Sequence, residues 1–255
     1  MIKRISATEA DRQKFLTLKI NPDTQKDDFF DYSKTLIKKP WGHEYLVFKN
    51  DNVAVWALHI KKGFQTSLHC HPQKETSIVV LSGEALFRTL GEEHKLAHGN
   101  GIFLEKGVFH STKALSPEGI LVLETETPTN KKDLVRLDDA YGREGEGYEG
   151  QEHFLELDAS EFNHFHNEEE KYHCEKKFGK CSIVLSKHDS INDFKNKAKE
   201  AESGVVTILK GALYNSNKEK VLKTGDVVGL EELKSIVDLT SSDEVEFLMV
   251  KPLTN

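Results

Sequence analysis

The chain has 255 residues, of which 37% are hydrophobic and 30% are charged, and its formal net charge is −7. This acidic balance argues against a general nucleic-acid binder, because such proteins need basic faces to displace counterions from phosphates. The composition is that of a folded protein, and the length allows one large β domain or two domains of ordinary size.

Two further features indicate where the protein works. No run approaches the roughly 18 apolar residues of a membrane span, and the start MIKRISATEADRQKFL lacks the apolar core of a signal peptide. The three cysteines, Cys70, Cys174 and Cys181, are odd in number and form no CxxC pair, so we expect reduced thiols. We therefore expect a cytoplasmic protein with no membrane partner.

Short strands separated by turns dominate the chain after residue 40, and one helix precedes them. The helix is predicted over residues 8–18, with Thr8 as the N-cap and acidic residues in the first turn. The predicted strands cover residues 43–49, 53–60, 64–71, 77–81, 84–90, 101–104 and 119–125. Brief strands at this spacing are typical of a β-sandwich or barrel.

The stretch 128–152 is rich in glycine and charge and has almost no apolar periodicity, which predicts a long excursion or linker. Beyond it, the strand-Gly-strand pattern around Gly83 recurs around Gly211. A second glycine turn follows each of them, 16 residues later at Gly99 and 14 residues later at Gly225. The repeat predicts two tandem copies of one β fold.

His69 and His71 are the first candidate metal ligands. Residues two apart in a strand face the same side, so both imidazoles project from one face, with Gln65 and Ser67 behind them. Such a pair can hold a divalent ion, or it can be a polar surface pair that binds nothing. His110, about forty residues downstream and after a further glycine turn, is the candidate third ligand.

Glycines and histidines recur at regular spacings in this region, at Gly63, His69, His71, Gly83, Gly99, Gly107 and His110. The arrangement resembles the cupin superfamily, whose motifs are G-x5-H-x-H-x(3,4)-E-x6-G and G-x5-P-x-G-x2-H-x3-N. Glu105 stands in place of the usual proline, and Ala114 in place of the terminal asparagine. The resemblance implies an all-β protein with two tandem cupin-like barrels, of the double-stranded β-helix or jelly-roll type, and a short N-terminal helix.

Four regions are expected on this basis. They are a helical extension over 1–38, a metal-binding barrel over 39–127, the linker or excursion over 128–152, and a degenerate barrel over 153–255. In the second barrel the ligand positions fall at Lys197, Lys199 and Ile236, so we expect no metal there. The stretch EFNHFHNEEEKYH, residues 161–173, is expected to be a charged loop or helix.

The resemblance implies one divalent metal ion held by His69, His71 and His110, with Zn, Fe, Mn and Ni not distinguished. The acid of the motif is displaced, because the register places Thr76 at its position and Glu75 one residue early. Strand alternation turns Glu75 away from the interior unless a bulge re-orients it, so a three-histidine site is expected. A cupin without bound metal is the alternative.

The stretch KPWGHEY, residues 39–45, resembles the entry of type II phosphomannose isomerase domains and related sugar-phosphate cupins. The resemblance implies a sugar phosphate or nucleotide sugar as ligand and aldose-ketose isomerisation as reaction, although those relatives carry Gln at the place of His69. Candidate substrate contacts are Gln65 and Ser67 on the metal-facing side, and Lys39 and Arg88 for a phosphate. Phe103 and Phe109 are predicted either to wall the pocket or to belong to the core.

Two other functions stay open from the sequence. Three histidines on a β-barrel also suit a non-haem iron oxygenase, and a non-catalytic carbohydrate-binding protein would need no turnover. The resemblance to cupins further implies a homodimer. No catalytic residue is assigned from the sequence.

Overall fold

The computed structural model describes residues 2–18, 30–158, 160–165, 174–188, 191–236, 238–241 and 244–253. These residues form four β-sheets, two in the N-terminal part of the chain and two in the C-terminal part. We number them sheets 1 to 4.

The N-terminal domain is built from sheets 1 and 2, which face each other across an apolar interior. Sheet 1 has the spatial order β1 (Ile2–Ile5), β9 (Gly101–Leu104), β6 (Glu75–Ser82), β11 (Ile120–Thr127), β4 (Ala54–Ile60), β3 (Gly42–Lys49), β2 (Thr35–Lys39) and β13 (Phe154–Glu156). Sheet 2 has the order β12 (Val135–Asp138), β5 (Leu68–Cys70), β10 (His110–Ala114), β7 (Glu84–Thr89) and β8 (Glu93–Ala97). Short 3₁₀ turns at Tyr32–Lys34 and Gln151–His153 precede β2 and β13.

Helix α1 (Glu9–Thr17) lies against the outer side of sheet 2. It begins with a capping box, because the Thr8 hydroxyl accepts the N–H of Asp11 and the Asp11 carboxylate accepts the N–H of Thr8. Asp11 also accepts a hydrogen bond of 3.0 Å from the backbone N–H of Phe109. The helix thereby covers the small apolar cluster of Cys70 and Phe109.

The C-terminal domain is smaller and carries two further helices. Sheet 3 has the order β14 (Cys174–Phe178), β15 (Cys181–His188), β21 (Val245–Pro252), β16 (Val205–Lys210) and β19 (Val227–Gly229). Sheet 4 has the order β18 (Lys220–Lys223), β17 (Ala212–Tyr214) and β20 (Thr240–Ser241). Helices α2 (Ile191–Glu200) and α3 (Leu230–Ser235) pack on the inner core of this domain through side chains such as Phe194 and Leu233.

Sheet 1 buries both of its faces, and strand β11 shows how. Val122 packs in the barrel interior with Trp56, whereas Leu123 packs on the opposite face with Ile183 and Leu248 of sheet 3. Because side chains alternate along a strand, one apolar run can serve two cores. The two domains are therefore joined by a continuous hydrophobic core.

The two domains approach each other closely at Gly179. The backbone N–H of Lys180 donates to the carbonyl of Leu81 at 3.0 Å. Gly179 has φ +58°, and a Cβ at this position would lie 2.7 Å from the Cβ of Ser82. Only glycine fits both the left-handed backbone and this close approach.

The predicted all-β architecture of two tandem barrels with a short N-terminal helix is confirmed. The stretch 128–152 contains strand β12, which pairs with β5, and strand β13 directly after it pairs with β2. The sheets of the N-terminal domain thus continue past residue 153. Among the described residues, no helix is long and apolar enough to cross a membrane.

Candidate metal centre

The three predicted histidines meet inside the N-terminal barrel. Strands β5 and β10 pair with His69 opposite His110, and His71 follows directly after β5 on the same face as His69. The ring centroids lie 4.4 Å apart for His69 and His110, 5.0 Å for His69 and His71, and 5.4 Å for His71 and His110. All three side chains are buried. Two paired strands thus bring the three imidazoles together from distant parts of the sequence.

Each imidazole is held in the same tautomer by a backbone carbonyl. The Nδ1–H of His69 donates to Ser67 at 2.8 Å, that of His71 to Asp133 at 2.6 Å, and that of His110 to Val108 at 2.9 Å. Because a carbonyl oxygen only accepts, Nδ1 must carry the proton in all three rings. The Nε2 atoms are therefore left with free lone pairs, as metal ligation requires.

Burial keeps these rings neutral. It lowers the pKa of His71 to about 3, with Lys74 adding to the effect, and the pKa of His110 to about 4, with His71 adding to the effect. The pKa of His69 is also well below its usual range because of burial and the two neighbouring rings. A metal ion would displace no proton from such a site near neutral pH.

Glu124 of β11 supplies a carboxylate beside the histidines. Its Oε1 lies 3.7 Å from Nε2 of the neutral His71. Glu75 lies elsewhere, since its carboxylate contacts Nζ of Lys223 in the C-terminal domain at 2.9 Å. Thr76 is buried, and its hydroxyl has no hydrogen-bond partner among the described residues. The acid nearest to the histidines therefore comes from a strand next to β6.

The donor set fits a divalent metal ion. The ligand atoms of the three histidines lie within 4.8 Å of one another. Nε2 of His71 and of His110 are buried without a hydrogen-bond partner among the described residues, which is costly unless something else binds them. Three imidazoles and a carboxylate suit Zn, Fe, Mn or Ni.

An ionic network around Glu44 forms another part of the cavity wall. Its Oε1 lies 3.3 Å from Nζ of Lys39 and 3.1 Å from Nζ of Lys131, and it accepts a hydrogen bond from the hydroxyl of Tyr148. Burial alone would raise the pKa of Glu44, but Lys131 and Lys39 outweigh burial and lower it to about 2. Glu44 is therefore an anion that orients two lysines.

Glu126 lies two residues after Glu124 and faces the same interior. Its Oε1 binds Nζ of Lys74 at 2.8 Å, and Nε1–H of Trp56 donates to its Oε2 at 3.1 Å. Nζ of Lys131 lies 3.8 Å from the centre of the Trp56 ring, a cation-π contact. These contacts fix the base of the cavity by charge as well as by packing.

The segment between β12 and β13, residues 139–150, completes the wall, and we call it the strap. It carries Arg143, Tyr148 and Glu149, which line the cavity with the histidines. The free space left for water-sized molecules is about 50 Å³. Ligand pockets usually hold roughly 300–1,000 Å³, so the cavity that the strap helps to line leaves little room for a sugar phosphate.

The structure brings together some of the predicted substrate contacts and separates others. Ser67 and Lys39 line the cavity. Gln65 does not line the cavity, and its carbonyl accepts a hydrogen bond of 2.9 Å from the Tyr141 hydroxyl. Side chains alternate along β7, and because Phe87 faces inward onto His110, its neighbour Arg88 faces outward. There Arg88 binds Glu93 at 2.7 Å. It therefore lies outside the cavity.

The two phenylalanines considered as pocket walls belong to cores outside the cavity. Phe103 packs in the core between the domains, and Phe109 packs beneath helix α1. Phe87 stacks on His110 with ring centroids 5.8 Å apart, and the aromatic residues that line the cavity are Trp41 and Tyr148.

Sequence reasoning missed Glu124 and Glu126, although the strand that carries them held a signal. In ILVLETET, residues 120–127, the two acids continue the alternate positions of Ile120 and Val122, so two carboxylates share the inward face of the strand with two apolar residues. It also missed Arg136, Arg143, Tyr148 and Glu149, because their segment has the composition of a linker.

The histidine-rich stretch 161–173 and the ligand positions of the repeat can be placed only in part. Of the histidine-rich stretch, His164 is described, whereas His166, Glu170 and His173 lie outside the described residues. In the C-terminal domain, Lys199 lies on α2 and Ile236 follows α3. Among the residues that the structure describes, groups of three metal-binding side chains occur only in the N-terminal cavity.

Comparison with known proteins gives one family and several partial relatives. Residues 56–125 match the family model described as Cupin domain. A segment of 109 residues is 25% identical to mannose-1-phosphate guanylyltransferase of Klebsiella pneumoniae, covering 42% of this chain and 23% of that relative. The chain thus spans less than a quarter of that relative's length.

Two solved structures match part of the chain. KdgF from a Halomonas species is 18% identical, with a TM-score of 0.35, and the match covers 41% of this chain and 93% of that one. An RmlC-like cupin from Shewanella frigidimarina is 19% identical, with a TM-score of 0.35, and the match covers 42% of this chain and 96% of that one. The family model matches β4 to β11, which carry the three histidines and Glu124. The N-terminal domain of this protein is therefore a cupin domain.

Proposed function

We propose that this protein is a metal-dependent enzyme that acts on a sugar phosphate or nucleotide sugar, with aldose-ketose isomerisation as the first reaction to test. The observation that supports it is the convergence of three Nε2 lone pairs, each fixed by an Nδ1–H bond to a carbonyl, beside the carboxylate of Glu124. The curated relative that matches this segment is named for a mannose 1-phosphate reaction, which favours a phosphorylated carbohydrate ligand.

In this proposal His69, His71, His110 and Glu124 hold one divalent ion. The bound ion would act as a Lewis acid and polarise a carbonyl or hydroxyl oxygen of the ligand, which would assist isomerisation. The side chains of this chain supply the rest of the site. Glu44 orients Lys39 and Lys131, and Ser67 lies where a sugar hydroxyl can bond to it.

Metal analysis of the purified protein is the first test. We expect about one divalent ion per chain, and we expect its loss in a His69→Ala, His110→Ala double variant. His98→Ala is the matched control, because His98 is exposed on the outside of the barrel. Absence of stoichiometric metal, with an unchanged melting temperature for the double variant, would overturn the metal site.

The second test concerns the reaction. The metal-loaded protein is incubated with aldose and ketose phosphates and with nucleotide sugars, and interconversion is followed by NMR. Bound iron with ligand-dependent oxygen uptake would instead favour an oxygenase. Ligand-induced stabilisation without turnover would favour a non-catalytic carbohydrate-binding protein.

A further inference from the structure

The carboxylate of Glu149 is held by three cations at once. Its oxygens contact Nζ of Lys39 and the guanidinium groups of Arg136, at 2.8 Å, and Arg143. The side chains of Lys39 and Arg136 are each only 4% exposed. A single carboxylate seldom needs three buried cations, because each one costs desolvation free energy.

The charges around Glu149 leave a surplus. Lys39, Lys131, Arg136 and Arg143 line the cavity near it, and the carboxylates that pair with them, apart from Glu149, are Glu44 and Asp139. Glu126 contacts Lys131 at 3.6 Å but has Lys74 as its closer partner at 2.8 Å. When Lys74 and the cavity carboxylates Glu124 and Glu126 are counted as well, five cations would face four carboxylates without Glu149, and this surplus of positive charge favours an anion such as a phosphate.

Arg136 also has an unused hydrogen-bond donor. Its Nε is buried and has no hydrogen-bond partner among the described residues, although its terminal nitrogens bind Glu149 and the carbonyls of Glu146 and Gly147. A buried donor without a partner costs about 1–3 kcal/mol. Arg136 pairs with His69 in the β12 and β5 ladder, so this donor lies next to the candidate metal centre.

We propose that Lys39, Arg136 and Arg143 form a phosphate subsite, and that Glu149 occupies it as an internal anion until a phosphorylated ligand displaces it. The inference rests on the proposed function, since it names the group by which that site holds its substrate. Glu149 lies in the strap, which leaves too little free space for a sugar phosphate, so displacement of Glu149 and opening of the cavity are one event. Glycines at 142, 145, 147 and 150 give the strap the backbone freedom to move.

The test measures binding of inorganic phosphate to the full chain by calorimetry. Glu149→Gln keeps the size of the side chain and removes its charge, so phosphate no longer competes with an internal anion. We expect its phosphate affinity to rise at least about tenfold over the native protein, because a site that is mostly occupied has a reduced apparent affinity. Glu152→Gln, the same change on an exposed residue three positions later, should leave the affinity unchanged.

A second variant keeps the inference refutable if Glu149→Gln folds poorly. Arg143→Gln in the native background removes one cation of the subsite and should abolish phosphate binding. Equal phosphate affinities of Glu149→Gln and native protein, or retained binding by Arg143→Gln, would overturn the inference. Metal content is measured in every variant. If the proteins bind metal but the variants show no change in phosphate affinity, the phosphate subsite alone is refuted. Phosphate binding without metal refutes the metal-dependent function alone.

Discussion

Replacement of Glu124 by glutamine tests whether this carboxylate, rather than Glu75 of the motif region, belongs to the proposed metal site. The carboxylate oxygen of Glu124 lies 3.7 Å from Nε2 of His71. Two ligands about 2.1 Å from one ion lie about 3.4 Å apart in tetrahedral geometry, so this spacing needs only a small adjustment. The neutral amide of glutamine keeps the shape of the side chain and loses the charge that attracts a cation.

The expected size of the effect follows from that lost charge. Loss of a group that tunes a metal site typically weakens metal binding by about 10–100-fold, which is about 1.4–2.7 kcal/mol. At a metal concentration of about 100 Kd the native protein gains about 2.7 kcal/mol from binding. For a variant with hundredfold weaker binding, the gain falls to about 0.4 kcal/mol by the same relation. The metal-dependent rise in melting temperature should therefore nearly vanish.

The assay is a competition titration with a chelating dye, together with melting curves with and without metal. Glu75→Gln is the matched control, because Glu75 occupies the motif region but binds Lys223 of the C-terminal domain. We expect Glu124→Gln to weaken metal binding and Glu75→Gln to leave it unchanged. The reverse pattern would refute the assignment of Glu124. Equal weakening in both variants would show that metal binding does not depend on Glu124 more than on Glu75.

Three further predictions concern the supports of the site, each measured against the native protein. Lys74→Met leaves Glu126 buried without its partner at 2.8 Å, so urea unfolding should show a loss of about 3–5 kcal/mol, and a loss below 1 kcal/mol would contradict the buried pair. Gly179→Ala places a Cβ 2.7 Å from Ser82 in a left-handed backbone, so the same assay should show a loss of about 1–3 kcal/mol, whereas an unchanged midpoint would contradict the close junction. Tyr141→Phe removes the hydroxyl that donates to Gln65 at 2.9 Å, which should cost about 1 kcal/mol locally and speed limited proteolysis within the strap. Unchanged cleavage would show that this bond does not hold the strap closed.

The parts of the site that could be predicted are those encoded by local spacing. His69 and His71 share a face because they are two apart in one strand, and glycine turns at Gly99 and Gly107 place His110 after a short strand. The tandem architecture follows from the same kind of local repeat. Each of these inferences needs only alternation and turn chemistry.

The parts that could not be predicted depend on which strands become neighbours. Glu124 is near His71 because β11 pairs with β6, and the sequence does not state that pairing. The contact of Glu149 with Lys39 joins residues more than a hundred positions apart. A charged, glycine-rich segment has the same composition whether it is a solvated linker or the wall of a polar cavity.

The shared core of the two domains also has a consequence for assembly. The outer face of sheet 1, with Val47, Val55 and Leu81, is covered by Ile183 and Val250 of sheet 3. A second chain cannot reach that face unless the domains separate. The homodimer expected from the sequence would therefore have to form through another surface, since each chain already holds its two barrels together as an internal pair.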